Sequence, residues 1–504
     1  MRLMRLLAVT GVAVFSSCDL PEQPLSGLAP PPPSSHPERR GIGLLPVVPP
    51  EAPEALAAQA PVKELAVDPR RSLVVTDEAI LARFSFEDVM EQLVAQSKVA
   101  RLTSLRLYQE WWDTQRRAPG LGLGGPHCDD QTLADGAPGL NGFAYACPRG
   151  EGNQAKENPF ETPDTNPGAY VAIGLINRFD LAAVDGSDCG EYRLLFARRS
   201  GLTLDTSRNL ISFESVMPNP SPKQGLRGCK DLVDFWAGLS KQANVNKRAD
   251  DLHDFYFKGY RAFPPALHID NLGNALDRTT GQVRTNQFMQ ALWTLREFRV
   301  RKACTGKTCV LRFEPDSVKN SPAGVLFSSK TSHPLQEDFA QVLTAQVDTL
   351  ALNELGRFSL ALDERFSGGQ SRSSGTEDLY GHQFGKGASP LRTRLQARLD
   401  ALGSPLTPNH LVARAQTLSC AGCHQLSTGA NLGGGLVWPT KSNGFEFVHV
   451  SERVHEQGPD GRRYGISEAL EGVFLPQRQA LMEAYLANRA PFDALSSGEQ
   501  TGLE

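Results

Sequence analysis

Nine cysteines constrain this 504-residue chain more than any other feature. Two of them stand in the run Cys420-Ala421-Gly422-Cys423-His424. Residue types and spacing together fit a specific chemistry. Two thiols two residues apart can each add to one vinyl group of a porphyrin, and the histidine directly after the second thiol reaches the iron from the proximal side. Ala421 and Gly422 are small enough to let the chain fold tightly against a ring edge. Two other chemistries compete. A redox Cys-x-x-Cys pair needs no histidine next, and a thioredoxin-like one sits between a strand and a helix. Here the preceding stretch, Asn409 to Leu418, carries Leu411, Val412, Ala415 and Leu418 at helical spacing. Zinc needs four ligands, and no second Cys/His pair lies nearby at finger-like spacing. The run therefore predicts one covalent haem c on Cys420 and Cys423, with His424 as an iron ligand.

With Cys18 set aside at the N-terminus, six cysteines remain: Cys128, Cys147, Cys189, Cys229, Cys304 and Cys309. Six can make three disulfides, which suits an oxidising compartment. Sequence order suggests 128–147, 189–229 and 304–309, although order does not fix connectivity. The alternative is a set of free buried thiols.

Residues 1–18 read as an export signal. Arg2 and Arg5 give the positive start, Leu6 to Phe15 is a short apolar run, and Ser16-Ser17-Cys18 closes it. The close resembles a lipoprotein signal, which implies lipidation of Cys18 and an anchor in a membrane of the cell envelope. Phe15 stands where such signals usually carry Leu, so plain secretion with an incidental Cys18 is the alternative. No run of eighteen apolar residues spans a membrane. Residues 19–73, with Pro30 to Pro33 and Pro49-Pro50, have too little apolar surface to fold and read as a tether.

A net charge of −4 gives no sign of a nucleic-acid partner. The body, residues 74–403, opens with a capped helix at Ser85-Phe86-Glu87-Asp88 and a second apolar segment, Leu105 to Trp112. Strands are expected at Tyr170 to Phe179, Tyr192 to Ala197 and Leu210 to Val216, and a hairpin at Thr294 to Arg301 with Val310 to Phe313. Asp231 to Leu239, Ala249 to Tyr260, Leu335 to Asp363 and Leu391 to Leu402 read as helices. Gly120-Leu121-Gly122-Leu123-Gly124-Gly125 matches GxGxxG, but no strand leads into it and Pro126-His127-Cys128 is a poor helix start, so dinucleotide binding is rejected. Arg178, Asp180, Glu191 and Arg193 form either a polar site or a structural ion-pair cluster. The stretch around them, Asn177 to Arg193, is similar to parts of uncharacterised exported bacterial proteins, which implies no activity.

Residues 404–504 resemble a mono-haem c-type cytochrome domain. The resemblance rests on the helix before the motif, on Cys420 to His424 itself, on the glycine-rich run Gly429 to Gly435 with Trp438-Pro439, and on a closing helix, Pro476 to Asn488. It implies a small mainly α-helical cytochrome-c-like haem domain and is silent on the rest; together with the strand pattern of the body, the expected class is α+β, a large mixed, β-rich body followed by that haem domain. The resemblance also implies single-electron transfer with a redox partner protein that the sequence does not name. Two residues compete for the sixth iron position. Met482 lies 58 residues after His424, as in small cytochromes c, but sits mid-helix among core residues. His449 shares a two-residue period with Phe445 and Phe447, which would place one imidazole on an apolar wall. The sequence favours His449. Two further functions remain open: an enzyme whose centre lies in the body with the haem as electron port, and an envelope binding or assembly lipoprotein with a structural haem.

Overall fold

Residues 67–290, 293–440 and 447–487 are described by the structure, a computed structural model. The architecture is α+β. Eight strands make one antiparallel sheet: β1 (Val74–Val75), β2 (Tyr170–Arg178), β3 (Asp188–Arg198), β4 (Asn209–Pro218), β5 (Gln282–Gln287), β6 (Thr294–Thr305), β7 (Thr308–Asp316) and β8 (Gln370–Arg372). They pair in the order β1 to β6, and both β7 and β8 pair with β6.

Side-chain alternation gives this sheet two chemically distinct faces. On one face Leu175, Leu194, Phe213, Val283 and Phe298 lie opposite one another on successive strands, all fully buried. Helices Phe86–Ser97 and Ser104–Asp113 cover that face. Trp111 stacks on Phe313 and meets Phe298 edge-on, while Phe86 packs on Phe196 and Phe213. The other face carries Arg178, Glu191, Arg193, Glu214, Arg284 and Glu297, also in register across β2 to β6. It is largely covered too, by the segment Thr417 to His424, by Trp438 and His449, and by Leu470 to Leu481.

The three disulfides join Cys128 to Cys147, Cys189 to Cys229 and Cys304 to Cys309. The last ties the tip of the β6–β7 hairpin. Ser85 caps the helix Phe86–Ser97 by accepting from the Asp88 amide.

Three expectations are corrected in detail. Folded structure starts before Val74: Val67 and Leu73 are buried, and Pro69–Ser72 is a short helix. Residues 1–66, including Cys18 and most of the expected tether, lie outside the described residues. The long helix expected over Leu335 to Asp363 is shorter, ending after Gln336–Ala345 and Val347–Leu350. Gln346 turns the chain back there. Its side-chain amide donates to the Ala361 carbonyl and accepts from the Ala361 amide, and Gly356 adopts φ 81. The strand expected through Phe445 to Val450 starts only at β9 (Val450–Gly458), paired with β10 (Gly461–Ile466). Phe447 has φ 68, which breaks the alternation, and Phe445 lies outside the described residues.

The segment after Gly403 packs into two cores. Leu411, Val412 and Trp438 share one with Phe339, Leu395 and Leu399. Val448, Val450, Leu481, Met482 and Tyr485 join the core of the large sheet. No helix among the described residues is long and apolar enough to cross a membrane.

Candidate functional site

The helix α1 (Pro408–Leu418) delivers the cysteine pair. Thr407 caps it by accepting from the His410 amide, His410 returns the contact to the Thr407 amide, and Pro408 takes a first-turn position that needs no N–H donor. Arg414 then fastens it from inside, donating to the carbonyls of Leu350, Leu352, Leu432 and Gly433. At Ser419 the backbone leaves the helix (φ −77, ψ 155), and Gly422–Leu426 follows as a π-helical turn. Such turns concentrate at functional sites. Gly422 is required here, since a Cβ would stand 1.7 Å from the Gln416 carbonyl oxygen. The Ala421 amide donates to Ser371 Oγ, pinning the motif to β8.

Cys420, Cys423, His424 and His449 line one cavity of about 270 Å³. Cys420 and Cys423 are free thiols. Burial pushes the Cys420 thiol up to about 11 and the Cys423 thiol up to about 12, so both are protonated at neutral pH. The Cys423 Sγ lies 3.1 Å from His449 Nε2, and His449 Nδ1 lies 2.9 Å from Ser467 Oγ. His424 is held between rings: Trp293 at 5.5 Å and His449 at 4.5 Å between centroids. Burial drives His424 down to about 4 against a backbone hydrogen bond at Phe447, and burial with the nearby His424 drives His449 well below its ordinary value. Both imidazoles are therefore neutral, the form that ligates a metal. His424 Nδ1 is buried without a hydrogen-bond partner among the described residues.

The charged face of the sheet forms the opposite wall. Arg178 grips Asp180 through contacts of 2.8, 2.9 and 3.1 Å. Glu191 pairs with Arg193 at 2.7 Å and Lys319 at 3.0 Å, and Arg284 pairs with Glu297 at 3.0 Å. Burial alone would raise the Glu191 carboxyl, but Lys319, Arg193 and Arg284 outweigh it and hold it well below the usual range. Burial opposes Asp180 in the same way, and Arg178 with Arg478 keeps it low. Both carboxylates are ionised. The four polar residues singled out in the sequence are thus an ion-pair cluster that also lines the cavity.

A second π-helical turn, Leu470–Phe474, leads into helix α2 (Leu475–Ala487) and completes the enclosure. Phe474, Arg478 and Leu481 face the cavity at helical spacing. Met482 turns instead into the core of the sheet and is not on the cavity wall. Arg284, Lys319, Ser467 and Arg478 escape a sequence reading. Only Arg478 left a signal, four residues after Phe474 and on the same helical face.

The donor types are those a haem c would use: two protonated thiols, a neutral imidazole with Nδ1 unpartnered among the described residues, and a second neutral imidazole. Among the described residues no three His, Cys, Asp or Glu side chains converge to hold a metal by themselves. Zinc would need such convergence, whereas a porphyrin brings its own four nitrogens to the iron. The spacing of the imidazoles is a separate matter. Two nitrogen–metal bonds of about 2 Å place ring centroids roughly 6 Å apart. At 4.5 Å the rings touch each other, and a metal between them requires His449 to leave the Cys423 thiol. No family model, curated protein or solved structure matches the chain.

Proposed function

We propose that this chain binds one haem c through thioethers at Cys420 and Cys423, with His424 on the iron, and passes single electrons to a redox partner in the cell envelope. Such a group, once bound, cycles between ferrous and ferric iron. The observation that carries the reading is the thiol inventory. Six of the eight described cysteines pair with one another, and the two left free stand on a cavity wall beside two neutral imidazoles.

The chain's own residues would do the following. Ser371 and Ser419 hold the backbone of the motif, so both thiols are presented from a fixed turn. Trp438, Phe474 and Leu481 keep water from the reactive edge. His449, in contact with Ser467, hydrogen-bonds the Cys423 sulfur in the unloaded chain and is the candidate sixth ligand in the loaded one. The leader, with Cys18 lipidated, would tether the body to a membrane through residues 19–66.

The test is expression of the full chain with haem-maturation machinery in an oxidising compartment. The expected product carries the mass of one porphyrin, gives a c-type pyridine haemochrome and titrates reversibly as a one-electron couple. Fully exported bare polypeptide would overturn the reading. Carbon monoxide binding or peroxide turnover would move the assignment from electron transfer to an enzyme.

A further inference from the structure

Arg478 is a buried cation with nothing adequate to pair with. It is 8% exposed and lines the cavity. Its guanidinium makes no hydrogen bond among the described residues. Its one carboxylate neighbour, Asp180, stands 3.6 Å from Nε and is already gripped by Arg178. Phe474 lies 5.3 Å from the guanidinium carbon, a weak substitute. Five cations share this wall: Arg178, Arg193, Arg284, Lys319 and Arg478. Asp180, Glu191, Glu214 and Glu297 supply four carboxylates, and each is engaged by another of those cations. Arg478 is the cation with the weakest share, reaching only Asp180, at 3.6 Å and already held by Arg178. A buried guanidinium held by only one long, shared ion pair is poorly compensated unless a further group of opposite charge meets it. Arginine's planar fork matches a carboxylate with two parallel hydrogen bonds.

We propose that Arg478 anchors a carboxylate subsite, so that the ligand of this cavity carries at least one carboxylate directed at helix α2. The inference deepens the haem reading, on which the identity of that ligand rests: there the carboxylate is a porphyrin propionate. A free dicarboxylate offers the same chemistry from another source.

The experiment uses the full chain, exported in a host without haem-maturation genes. Mesoporphyrin is the first probe, because its ethyl groups cannot form thioethers; its dimethyl ester lacks the carboxylates. Glutarate is the second probe. Porphyrin binding is followed by fluorescence, glutarate binding by calorimetry. The free acid is expected to bind about 10–100-fold tighter than the ester, the range of one charge-assisted contact. That ratio should collapse in Arg478→Met and partly return in Arg478→Lys, with near-UV circular dichroism confirming that both variants fold. If glutarate binds in an Arg478-dependent way and mesoporphyrin does not, the subsite stands and the haem reading falls. If acid and ester bind equally well, the subsite falls and the haem reading stands. If neither mesoporphyrin nor glutarate binds, the subsite is overturned.

Discussion

The Cys423 thiol and the His449 imidazole meet at 3.1 Å, yet both are neutral. In thiol enzymes such a pair becomes a thiolate and an imidazolium, because the surroundings stabilise charge. Here burial penalises both charged forms. The pair is a protonated thiol beside a neutral imidazole, not an activated nucleophile.

Slow alkylation in the native state follows from that. With thiols raised to about 11 and 12, the thiolate fraction at pH 8 is on the order of 10⁻³ or less, against about a quarter for an ordinary cysteine. Iodoacetamide should label Cys420 and Cys423 of the native, unloaded chain at least ~100-fold more slowly than the same chain in denaturant. Mass spectrometry of timed samples checks this. Equal rates in the two states would mean that the half-buried thiols are not held protonated by the cavity.

The sixth iron ligand is the next expectation. His449 lies against His424 on the cavity wall, whereas Met482 is packed into the sheet's core. In haem-loaded protein, His449→Ala should replace the low-spin spectrum with a high-spin, carbon monoxide-binding one. Met482→Leu should leave the spectrum unchanged and cost under about 1.5 kcal/mol in stability, as volume-conserving core changes do. An unchanged spectrum in His449→Ala removes His449 from the iron.

Arg414 should be the most stability-critical residue of the helix that carries the motif. It is fully buried and donates to four backbone carbonyls from two separate segments. Arg414→Leu leaves those carbonyls unpaired, at a cost on the order of 3–5 kcal/mol. Arg414→Lys should rescue little, since a point ammonium cannot span the same acceptors as a planar fork. Urea midpoints of the three proteins decide it. Matching midpoints for wild type and Arg414→Leu would show that the carbonyls find other partners.

How much of this was legible in the sequence depends on range. The motif, the strands β2 to β4 and the β6–β7 hairpin were readable because their signals are local: fixed spacing, alternation, bounding turns. The cavity was not. Alternating Glu191, Arg193 and Arg284 look like a solvated strand face, and only the chain more than a hundred residues later buries them. The helix expected through Asp363 failed for a related reason. Its periodicity continues past Leu350, but the Gln346–Ala361 contacts and Gly356 override it. His449 lies beside the motif, but not through the two-residue period that drew attention to it. Its neighbour Phe447 breaks the very alternation that suggested it, and stacks on Trp293 instead.

Asp378 should make stability fall as pH rises. Burial pushes its carboxyl up to about 7, with Glu377 adding to the shift, and the donated amide and nearby charge of Arg372 offset only part of it. An unfolded aspartate titrates near 3.9. Between those values the folded chain holds a proton that the unfolded chain has lost. Stability from this group is therefore fully present below about pH 4 and is lost as pH climbs through 7, to a limit of about 4 kcal/mol. Asp378→Asn keeps an acceptor oxygen for the Arg372 amide and has no proton to lose. Wild type and Asp378→Asn should thus unfold at similar urea concentrations near pH 4.5, with the variant increasingly the more stable toward pH 8. Asp378 also bears on the site, because its carbonyl accepts from Gln416, and Gln416 Nε2 also meets Ser419 Oγ at the turn into the motif. Loosening at high pH should therefore appear first as faster alkylation of Cys420 in wild type than in Asp378→Asn, once the intrinsic thiol titration is divided out. Urea curves whose separation stays constant from pH 4.5 to 8 would rule out the raised carboxyl as the cause.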